Sequence, residues 1–225
     1  MKQLIIAIDG PAGAGKSTVA RILSHRLRYT YIDTGAMYRA IAWQVLENGL
    51  SVSDTDAVAS VAENIVIGLT EQDGRQMVTA NGKDITEAIR TPAVTRAVPH
   101  VASQPAVRRA MLICQRQMAL EGGVVMDGRD IGTHVLPTAD LKIFLTASIA
   151  ERARRRWSEL TAKGHIVDFT ALQEEIAARD KADCERDVAP LIQAADAVLI
   201  DTTELSIEGA VEEILRLCRE RDSGV

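Results

Sequence analysis

One stretch near the amino terminus decides the fold, Gly10-Pro11-Ala12-Gly13-Ala14-Gly15-Lys16-Ser17. It matches the pattern G-x-x-x-x-G-K-S/T in full, between an apolar run at residues 4–9 and a helical pattern over residues 17–27. In such a strand–loop–helix unit, backbone N–H groups and the helix N-terminus surround phosphate groups. The lysine reaches the β- and γ-phosphates, and the serine hydroxyl ligates Mg²⁺. We therefore predict that this stretch, together with Thr18, binds the phosphates of ATP.

The rest of the chain alternates between short apolar runs and helical patterns. Further strands are predicted at residues 31–33, 124–126, 141–145 and 197–200. Further helices are predicted at residues 37–45, 105–121, from about residue 148 to Gly164, and at residues 171–187 and 207–219. This alternation predicts an α/β fold, a P-loop NTPase-type parallel sheet flanked by helices, in a single domain of residues 1–225.

Residues 63–90 show a different pattern, in which apolar residues alternate along short runs. The dipeptides Asp73-Gly74 and Asn81-Gly82 separate these runs, and such pairs are strong signals for β-hairpin turns. We therefore interpret residues 63–90 as a small antiparallel β subdomain inserted into the parallel fold.

The composition narrows the class of protein. The net charge of −5 argues against nucleic acid as the main partner, although 20 of the 26 basic residues are arginines, which suit phosphate recognition. No apolar run reaches the length of a membrane span, and the amino terminus is too short for a signal peptide. Three distant cysteines fit neither a disulfide framework nor a metal site. We predict a cytoplasmic protein without a membrane or nucleic-acid partner.

A phosphate loop alone indicates that a nucleoside triphosphate is bound and does not identify the reaction. The guanine-reading sequence Asn-Lys-x-Asp does not occur, and the chain is shorter than motor or transporter ATPases require. Small-molecule kinases remain, and three further clusters lie where a doubly wound fold places its ligands. Two follow predicted strands, at residues 33–39 and 127–132, and the third is Arg179, Asp183 and Arg186, predicted on one helical face.

Together these clusters resemble the signature motifs of the bacterial cytidylate kinases. They read Asp-Thr-Gly-Ala-Met-Tyr-Arg from Asp33, Asp-Gly-Arg-Asp-Ile-Gly from Asp127, and Arg-Asp-x-x-Asp-x-x-Arg-x-x-x-Pro-Leu from Arg179. The similarity extends from about residue 5 to about residue 205. It implies a monomeric P-loop kinase with an inserted region that binds a nucleoside monophosphate. The reaction implied is transfer of the γ-phosphoryl group of ATP to CMP or dCMP.

The resemblance also implies which residues bind the acceptor: Thr34, Tyr38, Arg39, Arg108, Arg129, Asp130, Arg179, Asp183 and Arg186. Of these, Arg39, Arg129 and Arg186 are expected to hold the acceptor phosphate, with Thr34 in support. Arg179 and Asp183 are expected to hold the sugar hydroxyls. The alternative is local pairing, with Arg179 and Asp183 as an ordinary i,i+4 ion pair on a helix.

Base recognition is assigned to Arg108 and Asp130. Cytosine presents an N4 amino donor beside N3 and O2 acceptors, so a carboxylate and a guanidinium complement it. Uracil would turn its O4 acceptor toward Asp130. One position departs from the family pattern, because Pro99 stands where relatives usually carry a base-contacting serine. Ser103 lies nearby in the sequence.

The helix after the strand at residues 141–145 is rich in arginine, and the resemblance implies that residues 148–170 form a lid. Its alternative is a solvated charged face. The residues expected to neutralise charge during transfer are Lys16, Arg129, Arg152 and Arg156, and no general base is assigned. Ser17 is expected to ligate Mg²⁺, with Asp33 or Asp127 acting through water or stabilising local structure instead.

Two other functions remain open at this point. The chain could be a P-loop kinase for another small acceptor, such as UMP, dTMP, gluconate or shikimate. It could also be a nucleotide-binding module without turnover, although the complete phosphate loop and the arginine-rich helix argue against this.

Overall fold

The computed structural model describes residues 3–72, 75–162 and 164–222. Within them the strands are β1 (Ile5–Asp9), β2 (Thr30–Asp33), β3 (Ile67–Gln72), β4 (Arg75–Ala80), β5 (Lys83–Asp84), β6 (Val124–Asp127), β7 (Leu141–Thr146) and β8 (Val198–Asp201). The α-helices are α1 (Lys16–Leu27), α2 (Thr34–Glu47), α3 (Thr55–Asn64), α4 (Pro92–Ala102), α5 (Pro105–Met118), α6 (Ile149–Ala162), α7 (Phe169–Glu185) and α8 (Ile207–Asp222). A 3₁₀ turn, Ala88–Arg90, and a π-helical turn, Ile131–Val135, complete them.

The chain divides into two compact units. The P-loop unit comprises the described residues up to Tyr31 and those from Glu121 onward, and the insert unit is Ile32–Leu120. The predicted boundaries of the inserted subdomain, 63–90, and of the lid, 148–170, include positions outside the described residues and stay predictions. None of the described helices combines the length and apolar character that crossing a lipid bilayer requires.

A five-stranded sheet of order β2-β6-β1-β7-β8 organises the P-loop unit. The central strand β1 pairs in parallel with β6 and β7, and β7 pairs in parallel with β8. Alternate residues of β1, Ile6 and Ile8, face a buried cluster that includes apolar side chains of α1 and α8. Ala7 is also fully buried, so both faces of this strand are covered. The predicted parallel α/β fold is confirmed.

The insert unit contains the predicted antiparallel sheet, in the order β3-β4-β5. β4 and β5 are joined through Asn81 and Gly82, whose φ angles of 50° and 81° are those of a type I′ turn. The prediction of a turn at Asn81-Gly82 is therefore confirmed. The other predicted turn, Asp73-Gly74, lies outside the described residues.

Two helices of the insert unit were missed by the sequence pattern. Helix α3 starts at a cap in which Asp54 accepts a hydrogen bond from the Ala57 amide. Helix α4 starts in the same way at Thr91 but contains Pro99 in its interior, a position that usually ends a helix. The Pro99 carbonyl still accepts the Ser103 amide, so the helix continues through its last turn.

Candidate active site

The phosphate loop is built from glycines with positive φ angles between β1 and α1. Gly13 and Gly15 have φ of 78° and 91°, and Gly15 is the left-handed residue directly before the helix. Gly10 has φ of 145°, and a Cβ atom added there would lie 1.9 Å from the carbonyl oxygen of Leu145. The loop thus passes against the end of β7, where no side chain fits.

Lys16, the first residue of α1, is 5% exposed and folds back over the loop. Its ammonium donates a hydrogen bond of 2.8 Å to the Pro11 carbonyl. Burial, with the positive charge of Arg129 as the second cause, lowers the pKa of this ammonium to about 7. A bound anion would therefore stabilise the charged form of this lysine, and the triphosphate of a nucleotide is such an anion.

Ser17 lies beside a buried carboxylate at the end of β6. Its hydroxyl donates to Oδ2 of Asp127 at 2.9 Å, and the Tyr31 hydroxyl donates to Oδ1 at 2.8 Å. A hydroxyl next to a carboxylate is a donor set that fits Mg²⁺, which prefers oxygen ligands. Asp33 instead caps α2 by accepting the Ala36 amide at 2.9 Å. No cluster of three metal-binding side chains occurs among the described residues.

The segment after β6 is tied to the phosphate loop by Asp9. Its carboxylate accepts the backbone amides of Ile131 and Gly132 at 2.8 and 2.7 Å. Burial raises the pKa of Asp9 to about 6, against the opposing effect of these two hydrogen bonds. Because Asp9 directly precedes Gly10, the carboxylate fixes the π-helical turn next to the loop that binds phosphate.

Two ion pairs join this segment to α7 and to the residue that follows it. Arg129 contacts Asp183 at 2.8 Å, and Arg186 contacts Asp130 at 3.1 Å. The pairs therefore form between segments that are 54 and 56 positions apart in the sequence. Arg179 on α7 is partly buried, and this desolvation lowers the pKa of its guanidinium.

One prediction about this cluster is wrong. Arg186 does not share the helical face of Arg179 and Asp183, because α7 ends at Glu185 and Arg186 has the extended φ and ψ of −66° and 142°. Its guanidinium donates to the Ala189 carbonyl at 2.6 Å, and Ala189 has a positive φ of 48°. The tight turn before Pro190 therefore fixes the position of the Arg186 guanidinium.

The arginines of α6 have different environments. Arg152 is buried, and its guanidinium donates to the Ala12 carbonyl of the phosphate loop at 3.1 Å. Arg155 donates to the Thr202 hydroxyl at 3.2 Å. Arg156 is 46% exposed and pairs with Glu159 on the same helix. The structure thus brings Arg152 to the phosphate loop and leaves Arg156 at the surface.

Four predicted acceptor residues lie in the insert unit. Thr34 is buried at the start of α2, and Arg39 of the same helix donates to the hydroxyl of Thr95 on α4 at 2.9 Å. The guanidinium of Arg108 lies 5.7 Å from the centre of the Tyr38 ring, a cation–π contact. These contacts place Arg108 with Tyr38 and join α2 to α4 through Arg39.

Ser103, which lies near Pro99 in the sequence, makes a local hydrogen bond. The hydroxyl of the exposed Ser103 donates to the His100 carbonyl at 3.0 Å, within its own turn. Arg108, which donates to the Ala102 carbonyl at 3.3 Å, belongs to the following helix.

Comparison with known proteins gives a family. A sequence model of the family described as "Cytidylate kinase" matches residues 6–220. The chain belongs to this family. A cytidylate kinase of Exiguobacterium sp. is 54% identical over 219 residues, which cover 97% of this chain and 98% of the relative. A cytidylate kinase of Geobacillus kaustophilus is 54% identical over 220 residues, 98% of each chain. The resemblance seen in the motifs is therefore confirmed.

The cytidylate kinase family membership agrees with a likeness of fold. A shikimate kinase from Acinetobacter baumannii in complex with shikimate superposes with a TM-score of 0.50, at 14% identity, over 97% of this chain and 94% of the other. At that identity the likeness shows the P-loop kinase fold alone.

Sequence reasoning missed two carboxylates of this site. Asp9 was visible as the last residue of the first strand, and an acidic residue in a buried strand is itself a signal. Asp180 was part of the quoted motif, directly after Arg179, but no role was assigned to it.

Binding of ATP at pH 8 is expected to take up protons, at most about one per site, because burial lowers the pKa of Lys16 to about 7 and phosphate favours the charged form of this lysine. The charges that surround Lys16 are Arg129, Asp127, Asp9 and Arg179. Titration calorimetry in buffers of different ionisation enthalpy measures the uptake. The Lys16→Gln variant should lose it, and equal uptake by both proteins would contradict the assignment to Lys16.

Proposed function

We propose that this protein transfers the γ-phosphoryl group of ATP to CMP or dCMP, forming CDP or dCDP and ADP. The observation that carries the proposal is the phosphate loop with its buried Lys16 and the Ser17–Asp127 contact, in a chain 54% identical to proteins named cytidylate kinase. We further propose that the enzyme acts as a monomer in the cytoplasm.

On the donor side, residues 10–18 hold the phosphates of ATP through backbone amides and the Lys16 ammonium. Ser17 and Asp127 would hold Mg²⁺, Asp127 through water, whereas Asp33 caps α2. When bound, Mg²⁺ neutralises charge on the β- and γ-phosphate oxygens. Lys16 contributes positive charge at the same phosphates, where its buried position makes the interaction stronger than in water.

On the acceptor side, the P-loop unit contributes Arg129 and Arg186 for the acceptor phosphate. In the structure each arginine is already held by a carboxylate, Asp183 and Asp130 respectively. Such pairing orients the guanidinium groups before the substrate arrives, which lowers the entropy lost on binding. Asp130 is proposed to accept the N4 amino group of cytosine, and Asp183 with Arg179 to bind the sugar hydroxyls.

The insert unit contributes Arg39 for the acceptor phosphate and Arg108 for the base, with Thr34 and Tyr38 in contact with the nucleotide. Arg108 is 5% exposed, so its charge is little screened by water. A site that is built to hydrogen-bond cytosine rejects an analogue that leaves its buried polar groups unpaired.

The chemistry requires positioning and charge neutralisation more than proton transfer. The transferring phosphoryl group carries negative charge, which Lys16, Arg129, Arg152 and Arg156 are proposed to offset. Arg156 pairs with Glu159 in the structure and would reach the phosphates only after residues 148–170 move as a lid. Such closure would exclude water and suppress hydrolysis of ATP.

The acceptor is identified by ADP release from ATP and Mg²⁺ with CMP, dCMP, UMP, dTMP and AMP supplied in turn. We expect strong release with CMP and dCMP, weak release with UMP and none with dTMP or AMP. Equal release with CMP and UMP would keep the kinase activity but contradict base selection by Asp130 and Arg108. The absence of acceptor-dependent release with every nucleotide would refute the proposed function.

The Pro99→Ser variant is the matched comparison for base selection. It restores the serine that relatives usually carry, on the same helix α4. If Pro99 weakens recognition of cytosine, the ratio of CMP to UMP use should rise in the variant. An unchanged ratio would assign selectivity to Asp130 and Arg108 alone.

A further inference from the structure

The guanidinium of Arg152 bridges three parts of the P-loop unit. Its Nε donates to the Ala147 carbonyl at 2.9 Å, directly after β7, and its Nη1 donates to the Ala12 carbonyl at 3.1 Å. Its Nη2 forms an ion pair of 2.6 Å with Oδ2 of Asp180 on α7. One side chain thus joins the phosphate loop, the end of the sheet and a helix.

In this arrangement Asp180 balances the buried positive charge of Arg152. The arginine side chain is 4% exposed and stays charged at any accessible pH, so it requires a compensating anion. The Asp180 carboxylate supplies it and is itself 19% exposed. Within the described part of the chain, the second oxygen of Asp180 is buried and has no hydrogen-bond partner. The ion pair with Arg152 therefore orients the Asp180 carboxylate, since the other carboxylate oxygen makes no hydrogen bond within the described residues.

The packing of the two helices supports the pair. α6 and α7 contact one another through a small buried cluster of Ala153, Leu172 and Ile176. The Arg152 side chain also packs against the phosphate loop, because a Cβ added at Gly13 would lie 3.3 Å from the Arg152 Cβ. The Arg152 side chain therefore links this helix pair directly to the phosphate loop.

We propose that Asp180 is a positioning residue of the phosphate loop, which it controls by holding Arg152 against the Ala12 carbonyl. This inference rests on the proposed function and deepens its donor side. It separates Asp180 from its neighbours in the same motif, because Arg179 and Asp183 are assigned to the acceptor. Removal of the carboxylate charge should loosen Arg152, and with it the loop conformation that fits the phosphates of ATP.

The test compares Asp180→Asn with Glu185→Gln, which removes the same charge from an exposed position of the same helix. Calorimetric titration with ATP and Mg²⁺ measures the affinity of the phosphate loop for ATP and does not require turnover. We expect the dissociation constant of ATP to rise about tenfold in Asp180→Asn. The loss of a buried charge-assisted contact typically has an effect of about this size. It should stay within twofold of wild type in Glu185→Gln. The KM for CMP should change less than twofold in both.

A double-mutant cycle shows whether Asp180 acts through Arg152. In an Arg152→Gln background, Asp180→Asn should have no further effect on ATP affinity, because the two residues then no longer form a unit. Additive effects, or an unchanged ATP affinity in Asp180→Asn alone, would overturn the proposal. If Asp180→Asn does not fold, Asp180→Glu provides the measurement, since it keeps the charge and shifts the carboxylate. It should weaken ATP binding by a smaller factor, and unchanged affinity would be a contradiction.

These outcomes are independent of the acceptor. If wild-type protein released no ADP with any acceptor, the proposed function would fall, yet the calorimetric cycle would still decide the role of Asp180. If CMP-dependent release is normal and the cycle is additive, only the inference about Asp180 fails.

Discussion

Replacing Lys16 with methionine is expected to lower kcat for phosphoryl transfer by at least about 10³-fold while the chain stays folded. The ammonium is a buried cation at the phosphate loop, and methionine has a similar length without the charge. ADP release with ATP and CMP measures the loss. Lys181→Met, which removes an exposed lysine of α7, should retain wild-type kcat. Retention of a tenth or more of the activity by Lys16→Met would contradict the assigned role.

The same variant should be more stable than wild type at neutral pH. Burial lowers the pKa of Lys16 from 10.5 to about 7, so the folded state binds fewer protons than the unfolded state between these values. The destabilisation by Lys16 is full below pH 7 and fades as pH rises toward 10.5. The Tm difference between variant and wild type should therefore shrink from pH 6 to pH 9. A difference that grows with pH would contradict this account of the site.

Replacing Gly10 with alanine is expected to reduce the free energy of unfolding by about 4 kcal/mol or more, or to prevent folding. The added methyl would lie 1.9 Å from the Leu145 carbonyl oxygen, and the φ of 145° already disfavours a side chain. Backbone on both sides leaves no flexible group to move. Urea unfolding monitored by circular dichroism provides the measurement.

Gly164→Ala is the matched control for this substitution. Gly164 also has a positive φ, 81°, but a Cβ atom added there would have no neighbour within 4 Å. Its replacement carries only the conformational cost, about 1 kcal/mol. If both variants lost the same stability, the contact with Leu145 would not be the cause.

The sequence predicted best where a local pattern is sufficient. The phosphate loop is one example, because the apolar strand, the glycines and Lys16 follow one another without interruption. The Asn81-Gly82 turn is another, because both residues tolerate the positive φ angles that a type I′ turn requires. Helix α4 could not be predicted in this way, because Pro99 inside it contradicts local propensity. Tertiary packing of its buried residues, such as Val94 and Val101, decides that segment.

The candidate site was predicted as a set of residues and not as a set of contacts. Arg129 and Asp183 are 54 positions apart in the sequence, so no spacing rule indicates that they pair. The choice between Asp33 and Asp127 was also open from sequence, since each lies at the carboxyl end of a strand. The structure separates them, because the first caps a helix and the second accepts the Ser17 hydroxyl.

The strand order has a consequence for synthesis on the ribosome. β1 lies at the centre of its sheet, but it is synthesised long before the two strands that flank it. Ile6 pairs with Val125 on one side and with Leu141 on the other. At 5–20 residues per second, roughly 7 to 27 seconds pass before both partners have been made. During that interval the nascent chain carries an apolar strand with two open edges, while the insert unit is completed. Translation that stops before β6 would release a chain whose phosphate loop has no sheet to support it, and open strand edges are where such fragments aggregate.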